Sequence, residues 1–218
     1  MHPDSLTLRQ NARQLGIELN EQQSAQFDLY KNELLAWNAR TNLISENSSR
    51  EIITRHFLDS LIALRFIPKP DARVIDIGSG AGFPGLPLKI AMPSLEMYFL
   101  EANRKKVSFL KHTTRLLKLA NTVVLHDRVE NMIRNASLKE YFDILISRAA
   151  FKLTELLVLG DYFLASGGLL IALKGPHVDE ELEACSLPTP SSKISQLIQH
   201  DINVSFLEVP RKIIIGIK

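Results

Sequence analysis

The 218-residue chain is long enough for one domain of ordinary size with an extension, and its 45% hydrophobic content suits a sizeable core. Lysine and arginine outnumber aspartate and glutamate by 26 to 24, so contact with nucleic acid would have to come from local clusters of charge. The single cysteine, Cys185, excludes an internal disulfide and a cysteine-rich metal site. Without a signal segment or an apolar run of about 20 residues, we expect a cytoplasmic protein with no membrane contact.

The first part of the chain has helical patterns. Asn20 and Gln23 have the spacing of a capping box, and apolar residues follow them at helical intervals. The Pro-Lys-Pro-Asp run at 68–71 interrupts the pattern. We therefore expect an N-terminal helical extension over 1–70 and a second domain over 71–218.

Strand and helix patterns alternate in the second part. Strand patterns occur near 73–77, 96–101, 122–126, 142–147 and 167–173. The helical patterns between them include 103–119 and 151–163, so we expect right-handed crossovers and a mostly parallel sheet. The polar segment 176–198 predicts a loop with some helix, and 201–207 with 212–217 predicts a closing pair of strands.

The most informative segment is the loop after the first of these strands. The apolar run at 74–77 leads into three alternating glycines, Gly78, Gly80 and Gly82. With Asp76 they form D-x-G-x-G-x-G, the pattern of methyltransferases that use S-adenosylmethionine (AdoMet). Glycines here would let the backbone approach the cofactor with no Cβ in between, and Asp76 would supply a nearby carboxylate.

Acidic residues also end the next two strand patterns. We expect Glu101 to accept hydrogen bonds from the ribose hydroxyls of the cofactor, although it could instead cap the helix that begins near Asn103. The segment 127–130 would then lie over the adenine. For Asp127 and Glu130 a solvated turn is an equal alternative.

A dinucleotide-binding loop is the main competing interpretation. Residues 80–85 match G-x-G-x-x-G, and Glu101 follows about 20 residues later, as a ribose-binding acid would. Pro84 opposes this interpretation because it removes a backbone N–H where a pyrophosphate requires donors. A tight turn without any ligand is the third possibility.

Six segments resemble, in chain order, the bacterial 16S ribosomal RNA (guanine-N7) methyltransferase family. They are 42–44 (NLI), 55–60 (RHFLDS), 75–88 (IDIGSGAGFPGLPL), 105–110 (KKVSFL), 142–149 (FDILISRA) and 172–175 (ALKG). The resemblance covers roughly residues 20–215. Two positions depart from the family pattern: relatives often have proline at Ala81, and an aromatic residue is more usual at Ala150.

The resemblance implies an α/β, Rossmann-like class I AdoMet-dependent methyltransferase fold, with a mostly parallel seven-stranded sheet and a helical extension. It implies a guanine of 16S ribosomal RNA as target, by family convention position 527 in the 530 loop, with the RNA or the small ribosomal subunit as partner. The cofactor contacts that it implies fall on Gly78, Phe83, Val129, Glu130 and Arg148.

The residues at the predicted strand ends suit methylation of guanine N7. That nitrogen has a free lone pair, so positioning and exclusion of water could suffice for catalysis. Cys185 lies in the polar segment, away from any strand end where a covalent nucleophile would be needed. Arg148, at the end of the fourth strand, is the main candidate for the reaction site. It could hold the base or a phosphate, or pair with Asp76 or Glu130; the alternative is a structural ion pair.

Other polar residues are candidates for the acceptor side. Lys174 ends the next strand and could bind a phosphate or a base edge, with a solvated lysine as the alternative. Arg55, His56 and Asp59 lie on one helical turn, where they would either dock the extension or cover the acceptor pocket. No second histidine stands at ligand spacing, so no metal is expected.

Basic residues cluster on the helix after Glu101. They are Arg104, Lys105, Lys106, Lys111, Arg115 and Lys118. Most are interpreted as a solvated face, and some as contacts to phosphates. We expect a monomeric AdoMet-dependent enzyme. An NAD-type oxidoreductase and a non-catalytic ribosome assembly factor are the alternatives.

Overall fold

A computed structural model describes residues 3–46, 48–176, 178–185, 192–207 and 209–218. The chain begins with helices α1 (Pro3–Gln14) and α2 (Glu21–Thr41), followed by a helical stretch over 49–66, named α3. Helix α3 is wound as a π-helix over Ile52–Leu58 and as a 3₁₀-helix over Ile62–Phe66. A π-helical turn re-aims the side chains that follow it, and such turns are frequent at functional sites.

The predicted capping box at the start of α2 is confirmed. The Asn20 side chain accepts from the Gln23 N–H at 2.8 Å, and the Gln23 side chain accepts from the Asn20 N–H at 2.9 Å. Two backbone donors that have no partner within the helix are satisfied in this way. Asn42, in the left-handed conformation with φ 50°, ends the helix.

The second part of the chain forms one sheet. Its strands are β1 (Arg73–Ile77), β2 (Glu96–Glu101), β3 (Thr122–His126), β4 (Phe142–Arg148), β5 (Leu164–Lys174), β6 (Gln196–Ile202) and β7 (Arg211–Ile217). The helices between them are α4 (Gly85–Ala91), α5 (Arg104–Leu116), α6 (Val129–Met132), α7 (Leu153–Phe163) and α8 (Asp179–Glu183).

The strand order is β3-β2-β1-β4-β5-β7-β6, with β7 antiparallel to both of its neighbours and the other pairs parallel. The predicted α/β fold with a mostly parallel seven-stranded sheet is thereby confirmed. The carboxyl ends of β1, β2, β4 and β5 meet at one edge, which in such sheets is where ligands bind.

The prediction of the closing strand pair was wrong in one of its members. The pattern placed a strand at 201–207, whereas β6 runs from Gln196 to Ile202 and a turn follows it. Ile202, Val204 and Phe206 alternate with polar residues as in a strand, but Val204 and Phe206 pack against the core from that turn. Alternation alone therefore did not distinguish a strand from a turn with inward-facing apolar residues.

The N-terminal helices pack onto one face of the sheet through a shared core. Tyr30 is fully buried, and its ring lies 5.1 Å from that of Phe57 and 5.6 Å from that of Phe83, just after β1. A division of the chain at residue 70 stays a prediction. Within the described part of the chain, no helix is both long and apolar enough to cross a membrane.

Candidate active site

The glycine loop after β1 is fixed to the end of β2. Gly78, Gly80 and Gly82 have φ of 72°, 59° and 101°, a region that favours glycine. The Gly78 N–H donates to the Leu100 carbonyl at 2.9 Å, and the Gly80 N–H donates to Glu101 Oε2 at 2.8 Å. These two hydrogen bonds to the end of β2 therefore fix the orientation of the loop backbone at Gly78 and Gly80.

The three glycines serve different purposes. A Cβ on Gly82 would lie 2.3 Å from Leu86 Cδ1, and one on Gly78 would lie 2.6 Å from the Ala150 Cβ, so both are needed for packing within the protein. A Cβ on Gly80 would meet no atom closer than 3.9 Å. Because Gly80 lines the adjoining cleft, that open space is available to a ligand.

Asp76 lies beneath the loop and is 0% exposed. Its Oδ2 accepts from the Gly85 N–H at 3.0 Å, while its Oδ1 has no hydrogen-bond partner among the described residues. Burial raises the pKa of this carboxyl to about 7, against the lowering effect of the Gly85 N–H. Asp76 is buried beneath the loop and binds its backbone at Gly85. A direct contact between Asp76 and the cofactor stays a prediction.

Glu101 connects the loop to the next helix. Its Oε1 accepts from the Asn103 N–H at 2.7 Å, while its Oε2 holds the Gly80 N–H. Capping of α5 is done by Asn103, whose side chain accepts from the N–H groups of Lys105 and Lys106. Capping the helix is therefore not the role of Glu101, which is half-buried at the end of β2.

The segment after β3 is more open. Asp127 accepts from the Arg128 N–H at 2.8 Å and from Asn131 Nδ2 at 2.7 Å, which fixes the first turn of α6. The side-chain bond from Asn131 and then the Arg128 N–H lower the pKa of Asp127. Val129 is half-buried and Glu130 is exposed on this short helix.

Arg148 lies at the centre of a polar cluster formed with α3. Its Nη1 donates to the Arg55 carbonyl and to Asp59 Oδ2, each at 3.0 Å, and its Nη2 lies 2.8 Å from His56 Nδ1. Its guanidinium also lies 4.9 Å above the Phe83 ring. The sequence offered Asp76 and Glu130 as ion-pair partners of Arg148. The carboxylate that pairs with Arg148 in the structure is that of Asp59.

Asp59 is the link between three elements. It is 1% exposed, and its second oxygen accepts from Arg211 Nε of β7 at 2.6 Å. One buried carboxylate thus holds two arginines, one with each oxygen, and joins α3 to β4 and β7. Arg211 was not among the predicted site residues.

His56 has both ring nitrogens engaged. The ring stacks on Phe83 at 4.6 Å with an angle of 16°, and Nε2 lies 2.8 Å from Glu46 Oε2. Burial, then the Arg148 charge, lowers the pKa of His56, so its imidazole is neutral at pH 7. Because arginine can only donate to Nδ1, the ring proton is on Nε2 and is donated to Glu46.

Lys174 is buried, so its interpretation as a solvated lysine was wrong. The side chain is 8% exposed and donates to the Phe151 carbonyl and to Glu181 Oε2, each at 2.7 Å. Arg55, by contrast, is exposed and forms an ion pair with Glu51 at 3.5 Å.

These groups surround a cleft of about 380 Å³ at the carboxyl edge of the sheet. Its lining comes from the segment after α2, from α3, from the glycine loop, from the first turn of α5, from the ends of β4 and β5, and from the start of β7. The predicted site residues that line it are Gly78, Gly80, Phe83, Arg148, His56 and Lys174. The remaining ones, which are not part of this lining, are Asp76, Gly82, Glu101, Val129, Glu130 and Arg55. Within the described residues no cluster of histidine, cysteine and acidic side chains could hold a metal ion.

The strand order and the glycine loop at the end of β1 define a class I AdoMet-dependent methyltransferase. Two solved structures share this fold. A predicted O-methyltransferase from Agrobacterium tumefaciens aligns with a TM-score of 0.58 at 22% identity, over 74% of this chain and 79% of that one. Precorrin-6y C5,15-methyltransferase from Geobacter metallireducens aligns at 0.54 and 17%, over 81% and 90%.

Sequence comparison identifies the family. The model of GidB, rRNA small subunit methyltransferase G, matches residues 23–206. Ribosomal RNA small subunit methyltransferase G of Syntrophus aciditrophicus is 48% identical over 173 residues, 79% of this chain and 72% of the relative. The protein of the same name from Desulforamulus reducens is 34% identical over 219 residues, 99% and 90% of the two chains. The chain belongs to the rRNA small subunit methyltransferase G family, which confirms the resemblance found in the sequence.

Proposed function

We propose that the protein transfers the methyl group of AdoMet to N7 of a guanine in the RNA of the small ribosomal subunit, acting as a cytoplasmic monomer. The names of the relatives support the class of RNA. The choice of N7 rests on one observation. In the described lining of the cleft, the side chains that could act as a general base are already bound to other residues.

Two side chains of the cleft could in principle accept a proton. His56 Nδ1 is taken by Arg148, and its other nitrogen carries the proton bound to Glu46. Both oxygens of Asp59 are bound by arginines. Guanine N7 requires no deprotonation before it attacks, so it is the acceptor that this arrangement serves best. General-base chemistry would have to disrupt the cluster.

The loop fits AdoMet, which supplies an electrophilic methyl group on a sulfonium. The open space beside Gly80 would receive it, and Gly78, Phe83 and Arg148 would line its side of the cleft. Glu101, Val129 and Glu130 would hold its adenosine end from the ends of β2 and β3. Asp76 and Gly82 would act by shaping the loop.

The acceptor side would be formed by cations and an aromatic ring. Arg148 rests on the Phe83 face and is fixed by three acceptors, so its guanidinium has a defined direction towards a base or a phosphate. His56 and Lys174 complete this side of the cleft, and the exposed Arg55 stands on the same helix. Fixed donors of this kind favour in-line positioning of the reacting atoms.

The test is methyl transfer from labelled AdoMet to 16S ribosomal RNA and to small subunits, followed by chemical cleavage at N7-methylguanine. We expect cleavage at one guanine, at position 527 by family resemblance. Arg148→Ala should lower the single-turnover rate. Cys185→Ser should leave it unchanged, because the half-buried thiol lies outside the cleft and burial raises its pKa. Label on a pyrimidine carbon, or no transfer at all, would refute the proposal.

A further inference from the structure

Charge is distributed very unevenly along this chain. Between residues 102 and 126 there are six lysines and arginines and no aspartate or glutamate, a local charge of +6. Since the whole chain has 26 basic and 24 acidic residues, the other 193 residues carry −4. The local excess lies almost entirely on α5 and the turn after it.

The arrangement on α5 separates an apolar face from a basic one. Arg104, Lys111 and Arg115 are spaced i, i+7 and i+11, which places them on one side of the helix, and all three are exposed. They are named the basic stripe. The buried face is formed by Val107, Phe109, Leu110, Thr113 and Thr114.

The basic stripe does not help the helix to form. The first turn of α5 contains no acidic residue and three basic ones, although the positive end of the helix dipole favours the opposite. Lys111 and Arg115 are four residues apart, where like charges repel. In the part of the chain that the structure describes, no stripe residue forms an ion pair. Local stability therefore does not account for these residues.

The position of α5 relates the basic stripe to the cleft. The helix begins three residues after Glu101, so Arg104, the first residue of the stripe, lies in the turn next to the carboxyl edge of the sheet. Lys106 of the same turn lines the cleft from the side of the helix opposite the stripe. Thirteen residues of helix extend about 20 Å, so a ligand bound along the stripe would reach the cleft round the first turn of α5.

We propose that the basic stripe is the docking surface for the phosphate backbone of the RNA substrate, and that it guides the strand beside the target guanine towards the cleft. The inference rests on the proposed function and adds the surface that binds the RNA. A row of unpaired cations matches a polyanion, and phosphate contacts supply most of the affinity of such interfaces. The low net charge of the chain confines this attraction to one side of the molecule.

The test compares two double variants with the same loss of charge. Lys111→Gln/Arg115→Gln removes two stripe residues, and Arg65→Gln/Lys139→Gln removes two exposed cations elsewhere in the chain. Binding of each protein to a 16S ribosomal RNA transcript and to small subunits is measured between about 50 and 200 mM salt. AdoMet affinity, by calorimetry, reports whether the cofactor side is intact.

The stripe variant should bind RNA about 30-fold more weakly at about 0.15 M salt, since a slope of about −0.9 per contact corresponds to about fivefold for each lost contact. The magnitude of its log–log salt slope should fall by about two, with AdoMet affinity unchanged. The control variant should resemble the wild type. Equal RNA binding by the two double variants would overturn the inference. Absence of methyl transfer by the wild type would instead overturn the proposed function.

Discussion

Asp59→Asn tests the role of the buried carboxylate that holds Arg148 and Arg211. The substitution preserves the shape of the side chain but leaves one acceptor oxygen, so an amide NH₂ must face one arginine. A hydrogen bond to a charged group contributes about 1.5–3 kcal/mol, and breaking a buried pair costs about 3–5 kcal/mol. The Arg148 side chain is 16% exposed and that of Arg211 is 28% exposed, so water compensates in part. We therefore expect Asp59→Asn to lower the free energy of unfolding by about 3 kcal/mol.

The assay is equilibrium unfolding in urea, with the free energy extrapolated to water. Asp179→Asn is the matched control, because Asp179 is 62% exposed and pairs with Lys212, the neighbour of Arg211 in the same strand. That pair should contribute less than about 1 kcal/mol. The rate of methyl transfer should fall in Asp59→Asn, since Arg148 would keep only its bonds to the Arg55 carbonyl and to His56. An Asp59→Asn protein as stable as the control would refute the account of this carboxylate.

Four further substitutions have distinct expected outcomes. Gly80→Val should lose AdoMet affinity in calorimetry, because its side chain would stand in the cleft and a β-branched residue strains the backbone at φ 59°; wild-type affinity would contradict this. Gly82→Val should lower the melting temperature, since its Cβ would overlap Leu86, and an unchanged melting curve would disagree. Glu101→Ala should weaken AdoMet binding by about 1.5–3 kcal/mol for each lost hydrogen bond, while RNA affinity without cofactor stays constant. Asp76 binds its proton more tightly when folded, with a pKa of about 7, so its contribution to stability is present at low pH and is lost as pH rises from about 4 to 7. Relative to Asp76→Asn, the free energy of unfolding of the wild type should fall by on the order of 4 kcal/mol across that range. If the free energies of unfolding of the two proteins depend on pH in the same way, this account of Asp76 is wrong.

Most of the sheet was predictable because its strands have apolar runs, which in β1 and β4 are buried and in the edge strand β3 are half-exposed. β1, β2 and β3 have the predicted bounds, and β5 extends beyond them. β6 was misplaced because it is an edge strand with a mostly polar sequence, while the turn that follows carries the apolar alternation. At such an edge the local pattern and the tertiary contacts disagree.

The glycine loop was predictable because its chemistry is local in the sequence. The cluster around Arg148 was not, since Asp59 lies 89 residues before Arg148 and 152 before Arg211. Only the fold brings those three side chains together. One signal was present nonetheless: Asp59 follows Phe57 and Leu58 on a helix, where an acid in a buried run requires a cationic partner.

The most direct test of methylation at guanine N7 is mass mapping of small-subunit ribosomal RNA from cells that lack the protein. The account predicts one guanine that is a methyl group lighter than in the parent strain. Chemical cleavage specific for N7-methylguanine should be lost at the same position. A plasmid carrying the wild-type gene should restore both signals, and one carrying Gly80→Val should not. Ribosomal RNA with an identical methylation pattern in the deletion and parent strains would contradict the account.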